Sequence, residues 1–374
     1  VLKIVVVTES LYDPVGGPYW SVKATIEAFL SMGHFVYLFG SRDSYKQPVS
    51  PIHYEDIKEK YCSTFKGFAL KKIGPKNLHL TPSIMWSLPY GQNVDLVLLQ
   101  GPWTWNCWIA FVWAKWKGIP VFMSVRGEFV DTNSIRKLKK RPFLPWVFYM
   151  MRKLDGIHVL NQREADALKN YKIYTPYTII PNGVHLNKEV SYNFPRGKVL
   201  YLGKLHVLKN VLNLVSAWKK VENKNDWELI IAGDGDEEYK QKLKNSIGDD
   251  SSIKLIGIVH GVTKEQCFLN ATWFILPSLL EGMPVAVLEA MGYQVPVMCS
   301  KECNLDDFME ESAVLDSGTS IEDLHTVLTN ALRMSMEERA RLSSRALEIL
   351  KKKYVWNNIG SALIHFFNPK IQLK

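Results

Sequence analysis

Disulfides are the first thing this chain does without. Its five cysteines stand at positions 62, 107, 267, 299 and 303, and no two of them form a C-x-x-C pair. An odd, scattered set excludes a small cross-linked scaffold and points to reduced thiols in a cytoplasm. Cys299 and Cys303 lack histidines at ligand spacing, which argues against zinc. Long apolar runs are missing too: none approaches the roughly 20 residues that a spanning helix needs. The opening stretch Val1–Val7 has no basic lead-in and no cleavage site, so it reads as a buried parallel strand and not as a signal peptide. Repeats, low-complexity tracts and zinc-finger spacings are likewise absent. What is left is a soluble globular composition, 47% hydrophobic and 22% charged. Its 374 residues suit two domains of ordinary size, each burying its own core.

Acidic residues are scarce in one half only. Residues 1–187 hold 23 Lys/Arg against 13 Asp/Glu, whereas residues 188–374 hold 23 against 24. The whole net charge of +9 therefore sits in the first half. Such a bias implies an acidic acceptor or an anionic membrane surface as its partner. Nucleic acid is the competing explanation, but no recognition motif accompanies the charge.

Strand-like apolar runs at 3–8, 35–39, 95–99, 121–124, 156–160 and 177–180 alternate with helical patterns. The alternation restarts at 198–202, 227–232, 252–257, 273–276 and 296–299. Two rounds of strand and helix predict an α/β protein with parallel sheets. The linker is expected near 185–197, and 41–81 carries no readable pattern.

Several loops at strand ends hold candidate chemistry. Gly16-Gly17, between a strand and a helix, would let backbone amides approach a phosphate, although a tight turn explains such a pair equally well. Arg126 follows the strand at 121–124, and ligands gather at the carboxyl ends of parallel strands. Its fork of donors suits a phosphate or a carboxylate, with a surface salt bridge as the plain alternative. The stretch Glu281–Gly292 follows a strand and opens a helix. Pro284 is expected in the first helical turn, with the amides around Met283 and Val285 forming an anion site at the positive end of the helix dipole. As a helix, this segment would separate Glu281 and Glu289 by at most roughly 12 Å. That is too far for two carboxylates acting on one bond. It fits an elongated ligand with a sugar at one end, a diphosphate over the helix start and a ribose at the other end.

Glu281 and Glu289, behind Pro277-Ser278, resemble the E-x7-E element of the retaining glycosyltransferases of family 4. Other elements follow that family's order: Gly16-Gly17, then Ser124-Val-Arg-Gly127 for S-P-R-G-M, and Pro181-Asn-Gly-Val184. Lys204 and Lys209 come next, and Tyr354-Val-Trp356 stands for F-S-W. Cys303-Asn-Leu305 resembles the C-N-L-P-E element of the R-G-M subgroup, with Asp306-Asp307 in place of Pro-Glu. The resemblance implies two Rossmann-like domains facing a central cleft, the GT-B architecture. Residues 1–187 would form the acceptor-side domain and 188–356 the nucleotide-sugar domain. A final helix at about 357–374 would cross back to the first domain.

The implied activity is transfer of a hexose from a nucleotide diphosphate sugar, UDP-sugar first and GDP-sugar second, with retention and without a metal or other cofactor. The acceptor would be a glycan or a lipid-linked sugar of cell-surface polysaccharide or lipopolysaccharide synthesis. Arg126, Lys204, Lys209 and Glu281 are the implied catalytic group. Gly16, Gly17, Lys204, Lys209, Val259, Glu281, Gly282, Met283, Val285 and Glu289 would bind the donor. Lys204 stands where the family more often has Arg, which keeps the charge and loses the bidentate fork. Asp234-Gly-Asp236 resembles the metal-holding pair of other glycosyltransferases, but here it reads as a glycine-rich turn. The cluster Arg136, Lys137, Lys139, Lys140, Arg141, next to the apolar segment 142–151, suits a peripheral contact with anionic membrane at the inner face of the plasma membrane. An epimerase, a sugar phosphorylase or a non-catalytic nucleotide-sugar-binding subunit would fit the same architecture.

Overall fold

In the computed structural model, the described residues are 1–11, 17–41, 52–71, 73, 80–89, 93–127, 143–186, 197–224 and 226–371. They divide into two units, Val1–Asn182 with Trp356–Lys374, and Gly183–Val355. Gly16 and the cluster at 136–141 lie outside the described residues.

The first unit is a parallel sheet of seven strands: β1 (Lys3–Ser10), β2 (Phe35–Ser41), β3 (Phe65–Leu70), β4 (Leu96–Gln100), β5 (Val121–Ser124), β6 (Gly156–Val159) and β7 (Tyr177–Ile179). Their spatial order is β3-β2-β1-β4-β5-β6-β7. The central strands keep continuous apolar runs, Ile4–Val7 in β1 and Leu96–Leu99 in β4, because helices cover both faces. Successive residues serve opposite faces. Ile4 and Val6 join a core with Phe29, Leu38 and Phe122, while Val5 and Val7 join another with Phe39, Val97 and Leu99. The helices Trp105–Trp116 and Leu144–Arg152 close the second core; the helix Trp356–Ile371 lies on the first. Phe367 of that last helix meets Phe122 at 4.6 Å between ring centres. Gly360 allows the close approach, since a Cβ there would come within 2.8 Å of Ala28.

Two elements fall in the stretch that carries no sequence pattern, the helix Ile52–Lys60 and β3. β3 is an edge strand in which only Phe65 and Leu70 are buried, so no apolar alternation marks it. On the helix Trp105–Trp116, Trp113 packs inside the core, whereas Trp116 is 72% exposed.

The second unit repeats the plan with six parallel strands: β8 (Lys198–Leu202), β9 (Glu228–Ala232), β10 (Ile253–Gly257), β11 (Trp273–Leu276), β12 (Val297–Cys299) and β13 (Leu315–Asp316). Their order is β10-β9-β8-β11-β12-β13. Strand order therefore reverses between β1 and β4 in one sheet and between β8 and β11 in the other. Ligands of doubly wound sheets bind beyond the carboxyl ends of the strands at such a reversal.

Candidate functional site

The reversal in the second unit brings two loops together. After β8 the chain runs through Gly203–His206 into a 3-10 turn, Val207–Lys209. After β11 it runs through 277–284 into the helix Val285–Gly292. Leu279 N–H donates to the Leu208 carbonyl at 2.8 Å, fastening one loop to the other. Lys209 Nζ then reaches Glu281 Oε1 as a direct ion pair. Glu281 is only 9% exposed, and Ser278 Oγ donates to the same carboxylate oxygen at 2.9 Å. Two residues singled out separately in the sequence thus meet in one part-buried contact.

The first loop is held from below. The Tyr201 hydroxyl, buried and so kept protonated well above its usual range, donates to the Lys204 carbonyl at 2.9 Å. Gly233 and Gly235 lie against the same backbone: a Cβ at either would stand about 2 Å or less from the Gly203 or Leu205 carbonyl oxygen. The glycines of the Gly233-Asp-Gly-Asp236 turn are needed for this close approach. The two aspartates have other work. Asp236 caps the helix Glu237–Ile247 by accepting from Tyr239 N–H at 2.9 Å, and Asp234 pairs with Lys240 at 2.9 Å. The Lys204 side chain is exposed.

The helix after β11 begins later than expected. Pro284 is its N-cap, in extended conformation, and Val285 is the first helical residue. Residues 281–284 are loop, so the helical rise does not measure the distance from Glu281 to Glu289. The cause is local: the backbone at Glu281 and Gly282 is held by Asn304, whose Nδ2 donates to their carbonyls at 2.7 and 3.1 Å. Glu289, on the helix, pairs with Lys264 at 2.6 Å. Lys264 belongs to the helix Gly261–Leu269, which starts just after the half-buried Val259. Lys264 carried no signal in the sequence, and Ser278 stood there only as part of the Pro277-Ser278 turn before the motif. Only the C-N-L match pointed toward Asn304, and it carried no role.

Arg126 lies in the first unit, at the carboxyl edge of its sheet. Its φ of 52° is followed by 85° at Gly127, two successive left-handed residues that turn the chain sharply after β5. Only 8% of Arg126 is exposed. Its Nε donates to Gln100 at 3.0 Å, Nη1 to Asn182 at 3.1 Å and Nη2 to Thr25 at 2.9 Å. All three partners are neutral, and burial lowers its pKa to about 10. Glu164 is the nearby acidic group. Its carboxyl accepts from the Gly127 and Leu160 amides, and burial raises its pKa to about 7. His158 completes the cluster, between Ser124 Oγ at 2.9 Å and the Ile180 carbonyl at 2.7 Å. Burial first, and Arg126 second, depress its pKa to about 3. Gly17 opens the helix Gly17–Ser31 after β1.

Two family models divide the chain between them. Glycosyltransferase family 4 matches residues 15–188, and glycosyl transferases group 1 matches residues 196–333. The chain belongs to the family 4 glycosyltransferases. Among the relatives of this family 4 member is the amylovoran biosynthesis glycosyltransferase AmsD of Erwinia amylovora, 29% identical over 55% of this chain and 62% of that protein. Another is an α-1,3-galactosyltransferase of Escherichia coli that takes UDP-Gal and a GlcNAc-diphosphoundecaprenol, 30% identical over 54% of this chain and 59% of that one. The matches to other curated relatives span about half of their length, 51%, 54% and 46%. HepE from Anabaena, crystallised with UDP and glucose, superposes with a TM-score of 0.76 over 98% of this chain and 99% of its own, at 13% identity. At that identity the likeness speaks for the GT-B fold, which the two doubly wound sheets display.

Proposed function

We propose that this family 4 member is a retaining, metal-independent hexosyltransferase. It would move a sugar from a nucleotide diphosphate sugar, UDP-sugar before GDP-sugar, to a glycan or lipid-linked acceptor of cell-surface polysaccharide or lipopolysaccharide synthesis. The observation that carries this is the part-buried Lys209–Glu281 pair at the β8/β11 reversal. Relatives that build amylovoran or use UDP-Gal support the substrate classes.

The chemistry follows from charge. The bond between the anomeric carbon and the diphosphate oxygen breaks, and negative charge grows on the leaving diphosphate. Lys209, Lys204 and the amides after Gly282 stabilise it, as donors aimed at developing charge do. The acceptor hydroxyl attacks the same face, and its proton goes to the departing diphosphate oxygen. With the donor bound, Lys209 turns to phosphate and Glu281 accepts bonds from sugar hydroxyls. Glu289 accepts from the ribose, with Val259 beside the base. Arg126 holds the edge of the first sheet, on the acceptor side.

Calorimetric titration with UDP, GDP and ADP in the presence of a chelator tests the donor site. UDP should bind in the micromolar range; no binding to any of the three overturns the assignment. Glu289→Ala should weaken that binding about tenfold, the effect of losing one charge-assisted bond of about 1.5 kcal/mol. Retention is read from the anomeric coupling constant of the product.

No helix among the described residues is long and apolar enough to cross a membrane. The proposed location is the cytoplasm, peripheral at the inner face of the plasma membrane. The basic cluster 136–141 leads into the helix Leu144–Arg152, where Phe143 and Tyr149 at its start and end are exposed. Each cation near an anionic surface adds about 1 kcal/mol. Changing Arg136, Lys137, Lys139, Lys140 and Arg141 to Gln should thus cut partitioning onto phosphatidylglycerol vesicles by about a hundredfold or more. Unchanged sedimentation with the vesicles would refute the contact.

A further inference from the structure

We propose that Asn304 is a positioning residue that aims two successive backbone amides, Gly282 and Met283, at the diphosphate of the donor. The role rests on the donor-site reading above. Asn304 stands just past β12, after the 3-10 turn Lys301–Cys303, with φ 55° and ψ 47°. It is buried. Its Nδ2 donates to the Glu281 carbonyl at 2.7 Å and to the Gly282 carbonyl at 3.1 Å, with the Glu302 carbonyl of its own turn at 3.4 Å.

A peptide unit is planar, and none here is cis among the described residues, so each C=O and the N–H of the next residue point in opposite directions. Two successive carbonyls drawn to one nitrogen therefore turn the N–H groups of Gly282 and Met283 together toward the other side. Successive amides on one side make a concavity that prefers anions. A single side chain sets both planes at once.

The surrounding contacts make the arrangement stiff. Ser300 Oγ donates to the Ser278 carbonyl at 2.6 Å, and Ser300 N–H donates to the Leu276 carbonyl at 3.3 Å. The Cys303 thiol lies 3.6 Å from that carbonyl oxygen. The edge at β12 thus supports the loop from 277 to 282 on one side. Glu281 extends from the same loop to Lys209, whose ammonium would add charge to the same ligand. Adjacent anionic groups, as in a diphosphate, match two amides and a cation better than a nucleoside does.

Asn304→Gly is the clean variant, because a left-handed residue fits glycine without backbone strain. Asn304→Asp keeps the shape and presents oxygens to two carbonyls, which drives the planes apart. Affinities for UDP and for uridine are compared in wild type and both variants, with GDP and guanosine instead if GDP is the nucleotide bound. UDP affinity should fall about tenfold in both variants, while uridine affinity stays within about twofold. A general loosening of the fold would weaken both ligands together, so a parallel loss overturns the proposal. An unchanged ratio of the two affinities in both variants also overturns it. Wild type that binds no nucleoside diphosphate overturns the donor site itself, and this role with it.

Discussion

Lys209→Ala should lower turnover by about 10²–10³-fold, more than Glu289→Ala does. A donor aimed at the leaving group contributes in proportion to the charge that develops on it, and loss of one such donor typically costs that much. Glu289 meets the ribose, whose charge does not change, so its loss weakens binding in ground and transition states alike. Lys209→Ala also has a structural effect. Glu281, 9% exposed, would keep the Ser278 hydroxyl on its carboxylate but lose its cation. An unpaired buried carboxylate is destabilising by several kcal/mol at full burial. With about a quarter of the Lys209 side chain open to solvent, a loss of about 2 kcal/mol is expected here. The double variant Lys209→Met, Glu281→Gln separates the two effects. It should regain the wild-type melting temperature and remain inactive. Recovery of turnover along with stability would assign the pair a purely structural role, and an active Lys209→Ala enzyme would remove Lys209 from the diphosphate site.

A second large effect is expected in the first unit, where two buried groups oppose each other in their response to pH. His158 stays neutral in the fold down to about 3, whereas the unfolded chain takes up its proton below about 6.5. The unfolded state then binds more protons, so stability rises with pH by about 1.4 kcal/mol per unit. Glu164 acts in reverse. The fold keeps its proton up to about 7, while the unfolded carboxyl releases it above about 4.5, so stability falls as pH rises through that range. The two slopes cancel where the ranges overlap, between about 4.5 and 6.5, and Arg126 stays charged throughout. Glu164→Gln removes one slope. Relative to wild type, the variant should gain about 3 kcal/mol between pH 4.5 and 6.5. His158→Asn should lose as much over the same interval. Urea unfolding followed by tryptophan fluorescence measures both, since nine of the twelve tryptophans lie in the first unit. A flat difference between Glu164→Gln and wild type would show that Glu164 ionises normally in the fold.

Much of the α/β plan was legible because a strand buried on both faces leaves a continuous apolar run. Ile4–Val7, Leu96–Leu99 and Trp273–Leu276 all have that form, and each is a strand. β3 was not legible, because an edge strand with Lys66 and Gly67 exposed keeps no such run. In the second unit, Lys209 and Glu281 were found by their resemblance to a spaced motif, whereas Lys264 gave no such signal, and Ser278 and Asn304 stood inside matched motifs without a role. Asn304 acts through backbone carbonyls 22 and 23 residues away, and no spacing in a single sequence announces such a contact. The same holds for Arg126: its partners Thr25, Gln100 and Asn182 are 101, 26 and 56 residues distant. The glycines of Gly233-Asp-Gly235 had a visible composition, but their reason, contact with the backbone at Gly203 and Leu205, exists only in three dimensions.

The last helix, Trp356–Ile371, belongs to the first unit although the whole of the second unit precedes it in the chain. Order of synthesis then conflicts with order of assembly. When residue 182 has left the ribosome, Phe29 and Phe122 still lack Phe367, and the part of that face beside the helix Gly17–Ser31 stays open until nearly two hundred more residues have been added. At about 5–20 residues per second, the delay is roughly ten to forty seconds. The nascent first unit must spend that interval as a sticky intermediate, whereas the second unit, continuous from Gly183 to Val355, can close as soon as its own residues are out.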